Sequence, residues 1–366
     1  MTSIYRGCSL NIAVTDAPSC DHGAVPELDD ISIVLSSSES HAEPMDIRLF
    51  ALPEFWKFNV LSSRGWVFQE TLVSVSTLFV GHSGLYWECC SASLSEDGDT
   101  TVGYIHSINS SKSELADCFQ SLDSALRDPE SKPPSHYLLE KLSWHKWMAS
   151  FSARVLTKKL DKLPAVAGLA AQLSRYGLTY AAGIWKESIH VGLTWRATQN
   201  QSLTRHLDRA PSWSWASVDG PIEWDRCLDL TKYRAFVTTR EHLDMEVSDI
   251  AVAEDRPGTF GTVSGGRIDA LATLHQLPTG RFLGHLGYTF DESQPFFGRD
   301  IWLARVCSII LGNGRLASAR QRAEYFFYLI LQGTSSGRSE FRRIGLASGE
   351  EMLDASEGVR RSIVLI

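Results

Sequence analysis

The chain lacks any apolar window approaching about 18 residues, so no membrane span is expected. Near its start there is no basic stretch leading into an apolar run, and no secretory signal is expected. There is no C-x-x-C pair. The seven cysteines, Cys8, Cys20, Cys89, Cys90, Cys118, Cys227 and Cys307, are odd in number. That fits reduced thiols in a cytoplasmic protein better than a disulfide frame. Cys89 and Cys90 are adjacent, which is poor spacing for chelating zinc. No two histidines stand at ligand spacing around a glutamate, and no Walker loop is present, so neither metal nor cofactor is expected. Gly258, Gly261, Gly265 and Gly266 do not match Gly-x-Gly-x-x-Gly and read as turns. Charge is modest, at 21% of 366 residues with a net of −8. An acidic surface repels phosphate backbones, so no nucleic-acid partner is expected. The one basic cluster, Arg315, Arg320 and Arg322, reads as a solvated helix face.

What is present is a globular chain, 43% hydrophobic, whose character changes along its length. The fold class read from it is α+β, in four stretches. Residues 1–90 read as an incomplete α/β part. A helix end leads into the strand Leu10–Val14, then a loop over Asp16–Asp30 and a short strand at Ile31–Leu35. Ser62 or Ser63 is placed to cap a helix over Trp66–Leu72. Two aromatic and β-branched runs, Ser76–Val80 and Leu85–Cys89, flank Gly81-His82-Ser83-Gly84 as a hairpin. Residues 91–135 form a Ser- and Asp-rich connector with one helix near Glu114–Arg127. Residues 136–205 are helical. The strongest periodicity spans His136–Leu160, where Leu139, Leu142, Trp144, Trp147, Met148, Phe151, Val155 and Leu156 recur at steps of three and four. Pro164 opens a helix to Leu173, and Tyr180–Trp195 reads as another. Residues 206–366 are β-rich, with strands at Trp213–Trp215, Ala235–Thr239, Thr259–Leu274, Tyr325–Gln332, Phe341–Leu346 and Ser362–Ile366.

Candidate chemistry centres on carboxylates. Glu70 and Glu88 each follow aromatics. Desolvation in such a pocket raises a carboxylate pKa, which suits acid/base work. The structural alternative pairs Glu70 with Arg64 or with an orphan backbone N–H. Gly81-His82-Ser83-Gly84 approximates a nucleophile elbow, but a strand follows where the elbow needs a helix. Trp213 and Trp215, two apart, share one strand face, where they either stack a planar ligand or fill a core.

Several segments fall in a telling order. They are Ile4-Tyr5 with Cys8-Ser9-Leu10-Asn11-Ile12-Ala13, Arg64-Gly65-Trp66-Val67-Phe68-Gln69-Glu70, and Leu85-Tyr86-Trp87-Glu88-Cys89. Far downstream come Asp161 to Gly168, Ala182-Gly183-Ile184-Trp185, Ala210 to Gly220, Gly265-Gly266-Arg267-Ile268 and Arg343-Ile344-Gly345. The block after Ala210, carrying Pro211, Trp213, Trp215, Asp219 and Gly220, is the most specific. Together they resemble the fungal heterokaryon-incompatibility (HET) domain proteins.

The resemblance implies a role in nonself recognition between hyphae and in programmed cell-death signalling, through a protein partner not identified by the sequence. It also implies a TIR-like α/β arrangement for the amino-terminal part. Some TIR proteins cleave NAD, so the alternative is an NAD-hydrolysing enzyme in which NAD is a substrate and Glu70 or Glu88 assists. The family's Leu-Ser-Tyr-x-Trp-Gly strand and Trp-x-Asp-x-x-Cys-Ile-x-Gln block do not occur. The expectation is therefore a member truncated at its N-terminus and not catalytic in this form, with an exposed sheet edge. A degenerate or mispredicted gene fragment is the remaining alternative.

Overall fold

The computed structural model of the protein describes residues 2–17, 21, 31–35, 45–49, 60–81, 84–96, 106–127, 143–199, 201–225, 241–277, 286–292, 300–311, 323–334, 339–350, 352–353 and 358–366. Helices and strands are mixed, and the carboxyl-terminal region is dominated by sheet. The chain divides into two compact units, Met1–Ala116 and Asp117–Ile366.

In the first unit, helix α1 (Thr2–Gly7) leads into β1 (Asn11–Val14). Strands β2 (Ile31–Leu35) and β3 (Met45–Leu49) pair with each other. Helix α2 (Gly65–Val73) then precedes β4 (Ser76–Gly81), β5 (Gly84–Cys89) and β6 (Ser93–Ser95). Strand order is β1-β4-β5-β6. Only β1 runs parallel to its neighbour, with Asn11 opposite Thr77, while β4, β5 and β6 are antiparallel. A parallel pair needs a crossover, and the segment carrying α2 supplies it. Ala13, Phe79 and Tyr86 form the buried centre, with Leu61 packed on it. Gly84, at φ +109°, closes the β4–β5 hairpin in a conformation that suits glycine. His82 and Ser83 lie outside the described residues.

Two expectations need correction here. The α2 N-cap is Arg64, with no side-chain cap, and Ser63 Oγ instead bonds the Val60 carbonyl. The helix expected near Glu114–Arg127 is present but begins earlier: α3 runs from His106 to Arg127 across the division between the units. Its serines bond their own helix, as Ser121 Oγ does to the Asp117 carbonyl.

In the second unit the carboxyl-terminal part of α3 precedes the helix Ser143–Ser152, which buries Trp144, Trp147, Met148 and Phe151. The expected helix to Leu160 therefore stops short, and Val155 is 69% exposed. The helix ends where the Ser152 hydroxyl turns to accept the Ile222 N–H and donate to the Ala149 carbonyl. Residues 136–142 of that expectation lie outside the described residues. Pro164 does open the helix Pro164–Ser174, its missing N–H costing nothing at that position.

The expected helix Tyr180–Trp195 is absent. Instead β7 (Tyr180–Ala181) and β8 (Ile184–Trp185) form a tight hairpin, followed by a 3-10 turn and the short helix Ile189–Gly192. Ala182 at φ 43° and Gly183 at φ 99° make the turn, a conformation no helix interior uses. Short ladders follow: β9 (Arg196–Ala197) pairs with β12 (Ile222–Glu223), and β10 (Thr204–Arg205) with β11 (Val218–Asp219).

The eight-stranded sheet consists of β13 (Glu241–Leu243), β14 (Glu246–Glu254), β15 (Val263–Gln276), β16 (Gly287–Phe290), β17 (Ile301–Leu311), β18 (Ala323–Gly333), β19 (Glu340–Gly349) and β20 (Val359–Leu365). Strands β17, β18, β19, β20 and β15 pair in turn, and β15 pairs back to β17, so the sheet closes into a ring. The closure rests on short ladders, two residue pairs between β19 and β20 and three between β15 and β17. Leu303, Phe326, Tyr328, Ile330 and Ala347 form one of its buried clusters. Two long strands, β14 and β17, escaped the sequence reading. Both carry register shifts, at Val247/Asp249 and Arg305/Cys307, which break the alternation that marks a strand. The expected strand Ala235–Thr239 lies outside the described residues.

Candidate functional site

Alternation along β5 turns Tyr86 and Glu88 inward and leaves Leu85 exposed. Glu88 is 2% exposed and faces Thr77 across the ladder. Lys112 reaches the same spot from α3, itself buried. Its Nζ donates to Thr77 Oγ1 at 3.2 Å and stands 3.9 Å from Glu88 Oε2. Burial pushes the Glu88 carboxyl up, and the Lys112 charge opposes it. Burial pulls Lys112 down, against Glu88 first and the Cys89, Cys90 and Cys8 thiols after it. Both Glu88 oxygens lack a hydrogen bond, so the pair is close in charge but not tied in geometry. The sequence reading found Glu88 but not Lys112, whose signal is its helical phase with Leu115 and Leu122, both buried.

The Arg64–Glu70 block is the α2 helix. Gly65 and Gln69 are buried, while Trp66 and Glu70, four apart, share the half-buried face as the spacing required. The Tyr5 hydroxyl hydrogen-bonds Glu70, and burial followed by the Glu70 charge holds that hydroxyl above its usual range. Arg64 is exposed, and no Arg64–Glu70 ion pair is found among the described residues, so that branch of the structural alternative is not formed. Trp87 is half-buried on β5.

The tryptophan block corrects a further expectation. Pro211 to Ser214 form a turn and Trp215–Ser217 a 3-10 helix, so Trp213 and Trp215 do not share a strand face. Both are fully buried, and so are Ser212, Ser214 and Ala216, which leaves no open indole face for a planar ligand. The Gly183 carbonyl accepts the indole N–H groups of Trp144 at 2.9 Å and Trp215 at 2.8 Å. Ser214 Oγ donates to the Ala182 carbonyl at 2.5 Å and accepts the Ala216 N–H at 3.0 Å. Trp195 donates to the Trp213 carbonyl at 3.0 Å. Gly220, at φ 115°, closes the block where a Cβ would meet Leu203.

Asp219, half-exposed, gathers three basic side chains. Arg209 Nη1 lies 2.7 Å from Oδ1, Lys162 Nζ 3.7 Å from Oδ1, and His206 Nε2 3.0 Å from Oδ2. Burial works to raise the Asp219 pKa, but the Arg209 hydrogen bond and the surrounding cations outweigh it and hold the carboxyl below its usual range. Lys162 also donates to the Val218 carbonyl and stands over the Trp215 ring. Burial, reinforced by Arg209, pulls Lys162 down to about 7, against Asp219. Sequence reasoning named Asp219 and quoted Lys162 within a resembling segment but did not pair them, and it named neither Arg209 nor His206; the three partners sit 10 to 57 positions away by number.

A second buried network lies at Asp291. Arg343 Nε reaches Asp291 Oδ2 at 3.0 Å, Arg205 Nη2 reaches the same oxygen at 2.7 Å, and Arg205 Nε holds Glu292 at 2.8 Å. Arg343 further donates to the Leu193 and Trp195 carbonyls, and its backbone N–H bonds Ser212 Oγ at 3.0 Å. These bonds order the interior, and Arg343 itself is fully buried.

Among the described residues no group of three or more His, Cys, Asp or Glu side chains is placed to hold a metal ion, and no helix is long and apolar enough to cross a membrane. The described cysteines, Cys8, Cys89, Cys90, Cys118 and Cys307, are all free thiols. Searches for relatives return nothing: no family model matches the chain, no curated protein matches it, and no solved structure matches it.

Proposed function

We propose that the chain is a HET-family protein of fungal nonself recognition and programmed cell-death signalling, acting through contact with a protein partner rather than by turnover. One observation carries this reading. Segments quoted for the resemblance, scattered through the second unit, converge on one buried node. Lys162 meets Val218 and Asp219, Gly183 takes the Trp215 indole, and Ser212 binds Arg343. A Cβ on Gly266 would stand 2.9 Å from Pro211 and 3.2 Å from Trp213. That the quoted segments serve one packed centre supports the reading. In the first unit, the parallel β1–β4 pair with α2 between them is the kind of unit a TIR-like α/β domain contains.

The test is induced expression of the chain in fungal hyphae. Arrest of growth and loss of viability are expected. Normal growth at a verified protein level would remove the cell-death role.

The second reading, hydrolysis of NAD, is favoured by one observation, the raised proton affinity of buried Glu88. It requires nicotinamide release from NAD by purified protein, lost in Glu88→Gln. The contact reading expects none, because Glu88 is 2% exposed and Lys112 and Thr77 stand against it.

A further inference from the structure

The turn that joins β5 to β6 carries two adjacent thiols, Cys89 and Cys90, and both are free. Cys89 is half-buried at the end of β5, and Cys90 is exposed in the bend that follows. The backbone closes this turn tightly, with the Cys89 N–H donating to the Ala92 carbonyl at 2.9 Å.

Several donors converge on the Cys89 sulfur. Ser91 Oγ stands 3.5 Å away. The backbone N–H groups of Ser91 and Ala92 and the Trp87 side chain hydrogen-bond the same atom. An indole and a backbone N–H can only donate, and a neutral thiol is a weak acceptor that uses such donors poorly. A thiolate accepts all of them, and successive N–H groups in a turn make a cradle for an anion. Burial works to raise the Cys89 pKa, but the hydrogen bonds from Ser91, Trp87 and Ala92 outweigh it and hold the thiol below its usual range. The Lys112 ammonium adds a cation within electrostatic reach of both Cys89 and Cys90.

The thiolate is the nucleophilic form of cysteine, and a thiolate that solvent can reach is the form that oxidants attack. Exposure alone would make Cys90 the more reactive of the two. The donors favour Cys89. The other described thiols do not compete: Cys118 and Cys307 are buried, and Cys8 commits its S–H to the Tyr5 carbonyl at 3.0 Å.

We propose that Cys89 is an oxidation site for a peroxide, with Cys90 as the thiol that closes the reaction. The Cys89 thiolate attacks one oxygen of hydrogen peroxide. An S–O bond forms, the O–O bond breaks, and the departing hydroxide takes a proton and leaves as water. Cys89 is thereby oxidised to the sulfenic acid and the peroxide is reduced. The Cys90 sulfur then attacks the Cys89 sulfur. The S–S bond forms, the S–O bond breaks, and a second water leaves with the Cys90 proton. Adjacent Cα atoms lie about 3.8 Å apart, closer than the span of about 4.4–6.8 Å that disulfides prefer, so the ring is strained and readily reduced again. Closure also takes the Cys89 sulfur from Ser91 and Ala92, so the change is felt at the β5–β6 turn. The proposal does not depend on the family reading.

The experiment exposes the full chain, first reduced, to hydrogen peroxide and assigns the products by fragmentation mass spectrometry. The native chain is expected to lose two hydrogens at Cys89 and Cys90, and dithiothreitol to restore them. In Cys90→Ser a dimedone adduct, the mark of a sulfenic acid, is expected on Cys89; in Cys89→Ser neither product forms. The native chain also supplies a test free of variants. Its iodoacetamide labelling rate is expected to reach half its maximum at lower pH for Cys89 than for Cys90. Coincident profiles, or a sulfenic acid on Cys90 in place of Cys89, would show that exposure and not the donor set governs these thiols. A Cys89 disulfide to any other cysteine would remove Cys90 from the reaction. Each of these results, or no oxidation at Cys89, overturns the proposal.

Discussion

The guanidinium carbon of Arg343 stands 3.5 Å from the centre of the Trp195 ring. Stacking accounts for one face of the arginine, and Asp291 and two main-chain carbonyls account for its edge. A buried charge so enclosed is expensive to strip of its partner. Asp291 serves two arginines, Arg343 and Arg205. Asp291→Asn therefore leaves buried Arg343 without a carboxylate and Arg205 with Glu292 alone, whereas Arg343→Met leaves Asp291 still paired with Arg205. Breaking a buried pair costs about 3–5 kcal/mol. Urea unfolding is expected to place Asp291→Asn in or above that range, with Arg343→Met costing less. The reverse order would show that stacking and carbonyl bonds, not the shared carboxylate, carry the network.

Lys162 makes a pH prediction. Its folded pKa is about 7, while the unfolded value is the ordinary one near about 10.4. Between those values the unfolded chain binds the extra proton, so stability rises with pH. The penalty of burying the charge is fully present below pH 7 and is relieved as pH climbs through the window. The slope from this group is at most about 1.4 kcal/mol per pH unit. Urea midpoints measured from pH 7 to 10 should climb more steeply for the native chain than for Lys162→Met. Parallel profiles would mean that Lys162 stays charged against Asp219 throughout.

Some of this was legible in the sequence and some was not, for physical reasons. Periodicity located the helices that bury a stripe, as at Trp144, Trp147, Met148 and Phe151, because the stripe is local. It failed at Tyr180–Trp195, where apolar spacing of three and four arises from a hairpin and a helical turn in series. There the decisive residue is Gly183, whose positive φ outweighs the pattern around it. It failed again at Trp213 and Trp215, since a two-residue interval is shared by strands and by turns. Glu88 was visible because aromatics precede it. Lys112, Arg209 and Asp291 were not, because a buried charge declares itself only through a partner distant in sequence.

His145 takes up its proton at a lower pH than an ordinary surface histidine. It is 4% exposed, stands edge-on to Trp224 with ring centres 5.0 Å apart, and burial pulls it to about 3. The unfolded chain takes up the proton near about pH 6.5. Stability is thus retained above that value and lost as pH falls towards 3, by at most about 1.4 kcal/mol per pH unit. His145→Phe keeps a ring and removes the titration. Its urea midpoint should fall less steeply than that of the native chain between pH 6 and 4. An equal fall in both would show that carboxylate protonation alone governs acid unfolding.

Gly183 tests the tryptophan node most directly. An added Cβ would lie 2.6 Å from Trp215 Nε1 and 2.9 Å from its Cε2, at φ +99°. Those contacts fall on the indole whose N–H the Gly183 carbonyl accepts, so the clash cannot be relieved without breaking that bond. Gly258 provides the control: it has φ +73°, yet a Cβ there meets nothing within 4 Å. Gly258→Ala should therefore cost only the left-handed backbone strain, about 1–2 kcal/mol. Gly183→Ala should cost that plus part of what losing a buried tryptophan costs, about 3–5 kcal/mol for full truncation. Unfolding followed by tryptophan fluorescence is expected to separate the two variants by about 2 kcal/mol or more, with an altered native emission in Gly183→Ala alone. Equal losses would show that the indole yields freely, and the node would then be packed more loosely than its bonds imply.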